Sequence, residues 1–125
     1  MHEETDLQTE AFDALDEFWF VQSVQNIEST AYHFALRLYI APGFFVQAFL
    51  GKQSGSLYFA VIKDEQRIFG IDREDDEWHM HPYGESGQHE RLPQGLEPKP
   101  LLRLLARVEQ LIMEHNILTD DSGSL

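Results

Sequence analysis

The sequence predicts an α+β domain: an N-terminal helix, an antiparallel β-meander of four to six strands, and a C-terminal helix packed on the sheet. Three observations predict it. Apolar residues recur at helical spacing near both ends of the chain. Between them, over residues 30–72, the period is two. The connections between the period-two runs are short, which suits hairpins and leaves no room for parallel crossovers.

The elements follow in order. Leu7, Ala11, Leu15 and Phe18 share one helix face, and Thr5 is a fitting N-cap, so a first helix is expected over residues 6–18. "VQSVQNIE" alternates weakly. "TAYHFALRLYI" alternates fully, with Tyr32, Phe34, Leu36, Leu38 and Ile40 on one face and His33, Arg37 and Tyr39 on the other. "APGF" is a turn, because Pro42 pre-sets φ and Gly43 tolerates positive φ. "FFVQAFLG" and "LYFAVIK" flank the loop "KQSGS", and "DEQ" turns the chain into "RIFGID". "EWHMHPY" reads as a last short strand ended by Pro82. Residues 83–99, rich in Gly and Pro, read as a long loop. Pro100 suits the first position of a helix whose apolar face is Leu101, Leu104, Leu105, Val108, Leu111 and Ile112, with Asn116 as its stop. One domain over residues 1–125 is expected, with 1–5 and 117–125 flexible. The central strands are apolar on both faces. One face should therefore pack the helices, and the other should be covered by a second copy of the chain in a homodimer.

Composition narrows the function. With no cysteine, disulfides, thiolate zinc sites and cysteine nucleophiles are excluded. Residues 1–10 are acidic and lack an apolar segment, so no secretory signal is expected, and no apolar run reaches membrane-spanning length. A cytoplasmic location is expected. Net charge is −13, from 22 acids and 9 bases. Seven of the acids lie in residues 1–17, and five more in "DREDDE" at 72–77. A surface of this sign repels nucleic acid and suits a basic protein partner. The one mildly basic neighbourhood is 88–108, with Arg91, Lys99, Arg103 and Arg107 against Glu90 and Glu97. Neither a phosphate-binding loop nor a nucleophile elbow occurs.

The chemistry concentrates in "DEWHMHPYGESGQH", residues 76–89, which hold three of the six histidines. On an extended segment His79 and His81 point one way, and Trp78 and Met80 the other. His89 can return through the glycine-containing loop. This set admits two uses. With Asp75, Asp76 or Glu77 it offers ligands for a divalent metal such as zinc, nickel or iron. Without metal, paired imidazoles serve as general acid and base, because they titrate near neutrality. Phosphodiester cleavage would then also need a cation for the phosphate. Arg91 and Arg103 are the nearest in sequence, and Tyr83 can donate a hydrogen bond. No cofactor is assigned. Imidazoles on a solvated sheet edge are the third reading.

Residues 30–112 resemble the TumE-type toxin family of toxin–antitoxin systems: an aromatic-rich hairpin, a strand ending in an aromatic and Asp element, a histidine-rich stretch, and a helix. Phe69, Asp72, His79, His81, Pro82 and His89 fill those places. "DREDDE" lacks the family's Asp-Asn step, and the second histidine cluster is reduced to His89. The resemblance implies a small α+β toxin with an antitoxin partner, and a histidine-dependent ribonuclease is one activity it implies. Catalytic roles would fall to His79, His81 and His89, with RNA held by Arg91, Arg103 and Tyr83. The charge favours instead a non-enzymatic, dimeric binding or regulatory protein whose acidic surface engages a basic partner.

Overall fold

The computed structural model describes residues 4–84 and 87–118. Helix α1 (Glu4–Glu17) leads into seven strands and a final helix α2 (Pro100–His115). The strands are β1 (Ser23–Ser29), β2 (His33–Ala41), β3 (Phe44–Gly51), β4 (Leu57–Lys63), β5 (Gln66–Glu74), β6 (Glu77–His81) and β7 (Glu90–Arg91). They form one sheet in chain order, each antiparallel to the next. The α+β architecture is as the sequence predicts. The strand number is one above the upper expectation, because β7 lies inside the segment expected to be loop.

Alternation sorts the sheet into two faces. The inner face carries Phe34, Leu36 and Leu38 from β2, Phe44, Val46 and Leu50 from β3, Leu57, Phe59 and Val61 from β4, and Ile71 from β5, all essentially inaccessible to solvent. They form one core with Leu7, Ala11 and Ala14 of α1 and with Leu101, Leu104, Leu105, Val108 and Ile112 of α2. Both helices thus lie on the inner side. The outer face is only half-buried along β2–β5, in the strict alternation seen in β3 and β4.

Several local expectations change. Thr5 is not an N-cap, since α1 already begins at Glu4. The Glu4 carboxylate lies 2.7 Å from Lys52 Nζ and accepts a hydrogen bond from Ser29 at 2.9 Å, and residues 1–3 lie outside the described residues. Lys52, with Ser29 assisting, holds the Glu4 carboxyl below its ordinary range. The buried face of α1 is Leu7, Glu10, Ala11 and Ala14, while Leu15 points to solvent. Tyr32 is likewise exposed, in the turn before β2. At the other end Ile117 is buried and Leu118 packs on the core, and 119–125 lie outside the described residues.

Four polar or backbone devices fix the C-terminal half. Glu10 of α1 is buried and accepts hydrogen bonds from the backbone N–H of Leu101 (2.8 Å) and Leu102 (3.2 Å), so a side chain distant in sequence caps α2. It satisfies donors that Lys99, at the N-cap position, leaves without a side-chain partner. Arg73 is buried on the inner face, where its guanidinium donates to Glu97 and to the carbonyl of Gly55 and lies 5.5 Å from the Trp78 ring centre. Gly95 has φ +61° and lies against Trp78, where a Cβ would come within 2.4 Å of the indole. The segment after β7 is thereby pinned beneath β5 and β6. Asn116 ends α2 in the left-handed conformation, its N–H bonded to the Ile112 carbonyl.

Candidate active site

The strand register places the histidines. β6 pairs with β5 so that His79 faces Asp72 and His81 faces Gly70. Trp78 is buried on the inner side, so His79 and His81 stand on the outer face. His89, just before β7, returns over them. Its ring centre lies 5.6 Å from that of His79 and 5.8 Å from that of His81. The three imidazoles therefore share one patch and are not splayed along the edge.

His81 is the most engaged of the three. Its Nε2 is 3.0 Å from Asp72 Oδ2, a diagonal contact between neighbouring strands. Its Nδ1 is 3.4 Å from Arg67 Nη2. An ionised Asp72 fixes the tautomer with hydrogen on Nε2, which leaves the Nδ1 lone pair directed at Arg67. His79 Nε2 lies 3.8 Å from Glu77 Oε1, and the other oxygen of Glu77 is 3.6 Å from Arg91. Arg91 is the β7 partner of His79 and belongs to the patch.

The other candidates separate. Arg103 lies on α2, on the inner side of the sheet, and donates to the Glu97 carbonyl at 3.2 Å. It does not join the histidines, because the sheet stands between them. Tyr83 stacks on His115 of α2, ring centres 4.3 Å apart and interplanar angle 23°. It also lines a cleft of about 290 Å³ shared with Arg67, Phe69, His81 and Pro82. Phe69 is a core residue that also lines the cleft. Asp75 and Asp76 form the β5–β6 turn, both at positive φ. Among the described residues no group of three or more His, Cys, Asp or Glu side chains is arranged to hold a metal ion.

Arg67 was not foreseen. Counted back from Phe69 and Ile71 by twos, it belongs to the inner face. A β-bulge intervenes: Val61 pairs with Phe69 but Ile62 pairs with Arg67. The extra residue, Ile68, switches Arg67 to the outer face beside His81. Gly70 makes the arrangement close. A Cβ there would lie 2.9 Å from the Phe59 carbonyl, and the Arg67 stem passes over the vacant position.

What the patch can do follows from its parts. It has an imidazole oriented by a carboxylate, two more imidazoles within one substrate's reach, and guanidiniums at either flank. These are the components of acid–base chemistry on an anionic group. No helix of the described residues is long and apolar enough to cross a membrane. No family model, curated protein or solved structure matches the chain.

Proposed function

We propose that the outer-face histidine patch is a metal-independent acid–base site for cleaving RNA, and that the chain is the toxin member of a toxin–antitoxin pair acting in the cytoplasm. The observation that supports this most is the His81–Asp72 contact with Arg67 on the opposite imidazole nitrogen. His81, oriented by Asp72 through Nε2, takes the proton of a ribose 2′-hydroxyl at Nδ1 once Arg67 turns from that nitrogen to the phosphate. The 2′-oxygen attacks phosphorus, the bond to the 5′-oxygen breaks, and His89 or His79 protonates that oxygen. The products are a 2′,3′-cyclic phosphate and a 5′-hydroxyl. Arg67 and Arg91 hold the phosphate. The resemblance of residues 30–112 supports the toxin role.

The test is cleavage of a fluorescent single-stranded RNA by purified protein in excess EDTA. Wild type is expected to cleave. Loss of one acid–base group should lower the rate by roughly 10²–10⁴-fold in His81→Ala, and similarly in His79→Ala or His89→Ala, without loss of the melting transition. No cleavage by the wild type, or unchanged cleavage in all three variants, would sink the proposal. The same oligomer with a 2′-deoxy linkage at the cut site should resist.

A second reading is a non-enzymatic protein that binds a basic partner. The net charge of −13 favours it. So does the helix layer, where Phe12 (62%), Trp19 (60%) and Met113 (66%) are exposed. Capture of a basic protein by a chain that never cleaves RNA would support it. A homodimer through the outer face belongs to this reading, since it would cover the histidines, and light scattering at high micromolar concentration tests it.

A further inference from the structure

The two helices lie side by side on the inner face of the sheet and run in the same direction. Glu10 of α1 meets the start of α2 at Leu101. Just past the end of α1, the Trp19 indole N–H donates to Glu109 of α2 at 2.9 Å. From Glu10 to Trp19, and from Leu101 to Glu109, the chain rises about 12–14 Å. Along this stretch the helices leave two clefts in tandem, of about 420 and 630 Å³, and Lys99 lines both. Together they make one interhelical groove. Leu102 and Ala106 of α2, one turn apart, line the second cleft with Phe18. Leu102 and Phe18 are half-buried, and Ala106 is exposed. Glu109 and Met113 continue the same flank of α2, and Met113 is exposed beyond the Trp19 bridge.

Charge divides the groove lengthwise. Asp6 and Asp13 of α1 line the first cleft and Glu17 lines the second, all three on the flank towards α2. There is no Lys or Arg in α1. Across from them Lys99, Arg103 and Arg107 line the second cleft. Arg103 donates to the Glu97 carbonyl and Arg107 to the Met80 sulfur, both neutral acceptors. The other acids of the clefts are engaged elsewhere: Glu10 caps α2, and Glu97 receives Arg73. Among the described residues no ion pair joins Asp13 or Glu17 to Lys99, Arg103 or Arg107, so each wall keeps its sign.

We propose that this groove docks an amphipathic helix of a partner protein, one whose apolar stripe runs between a basic flank and an acidic flank. The stripe seats on Leu102, Ala106 and Phe18, in the manner of helix-in-groove recognition. The small Ala106 side chain leaves room for a large apolar anchor. The basic flank faces Asp13 and Glu17, and the acidic flank faces Lys99 and Arg103. A helix basic on both flanks is opposed by the α2 wall, and one acidic on both flanks by the α1 wall. From Asp6 to Glu17 the acidic wall is about 17 Å long, which matches about 12 residues of docked helix. The groove lies across the sheet from the histidines. The inference therefore goes beyond the ribonuclease reading and does not depend on it.

The experiment titrates the protein with three synthetic 14-residue peptides in about 0.15 M salt, which screens long-range attraction to the acidic chain. All three carry leucine at helical spacing. One has lysine on one flank and glutamate on the other, one has lysine on both, and one has glutamate on both. The readout is tryptophan emission, since Trp19 is exposed beside the groove and Trp78 is buried. The mixed peptide is expected to bind tightest, at roughly 10⁻⁶–10⁻⁴ M as for a small interface, and to shift Trp19 emission to shorter wavelength. Ala106→Gln, a good helix former at an exposed position, fills the floor and should weaken binding about tenfold or more with the melting temperature kept. Glu17→Lys should weaken it too and serves if Ala106→Gln fails to fold. In Lys99→Glu/Arg103→Glu both walls are acidic, and the all-lysine peptide should become the tightest binder. No binding of the mixed peptide, or binding unchanged in Ala106→Gln and Glu17→Lys, overturns the groove. So does a wild type that prefers the all-lysine peptide, which leaves only the reading of a basic partner. A second copy of the chain shielding Trp19 from acrylamide in the peptide-free protein also overturns it.

Discussion

The carboxylate of Glu10 caps a helix that begins ninety residues later, accepting the Leu101 N–H at 2.8 Å and the Leu102 N–H at 3.2 Å. Both ends of the chain are tied by this contact, and α2 is thereby seated on the sheet. Glu10→Ala would strand two N–H groups in the interior. It is expected to cost about 2–3 kcal/mol in urea unfolding, against a smaller loss in Glu10→Gln, which keeps an acceptor oxygen. Equal stability of the alanine variant and wild type would show that solvent replaces the cap.

This contact also marks what the sequence could not say. The apolar face expected for α1 includes Leu15, yet the side chain that turns inward is Glu10, because its partner is a helix terminus and not a hydrophobic surface. The sheet was legible where packing alone decides it. Phe34, Leu36, Leu38 and Ile40 alternate in the sequence and are buried in the structure. The histidine patch was half legible: parity puts His79 and His81 on one face, but Arg67 reaches them through a bulge at Ile68 that no local pattern announces. Arg103 was misplaced because proximity in sequence says nothing about which side of a sheet a later helix covers.

The β5–β6 and β4–β5 hairpins turn through residues that resist the conformation they hold. Asp64 and Glu65 have φ of 53° and 70°, the pattern of a two-residue turn that favours Asn-Gly. Glu65 has no short side chain to offset the left-handed backbone. Glu65→Gly is therefore expected to raise stability by about 1 kcal/mol, read as a higher urea midpoint with an unchanged slope. At Gly95 the opposite holds. Alanine there meets the Trp78 indole at 2.4 Å as well as the positive φ, and a loss above about 2 kcal/mol is expected.

The Tyr58 hydroxyl donates to Glu74, and this hydrogen bond, with some desolvation, pushes its ionisation above the ordinary value of 10. A raised folded-state value means that the neutral phenol is favoured by folding. The stability it contributes is present below pH 10 and is lost as pH rises through the folded-state value. Ultraviolet titration of the phenolates should show one late component that is absent in Tyr58→Phe and moves down in Glu74→Gln. A late component that survives in Tyr58→Phe would assign it to another tyrosine.

Net charge decides the response to salt. With 22 acids against 9 bases, like charges face one another over much of the surface, and their repulsion acts on the compact state. Among the described residues few acids are offset as closely as Glu4 is by Lys52. The Debye length falls from about 30 Å at 0.01 M salt to about 8 Å at 0.15 M, so most of the longer-range repulsion is screened across that range. The melting temperature at neutral pH is expected to rise with added NaCl, and equally with KCl at the same ionic strength, since screening depends on charge and not on ion identity. A melting temperature that falls with salt would mean that the attractive pairs, such as Glu4–Lys52 and Arg73–Glu97, outweigh the repulsion of the remaining acids.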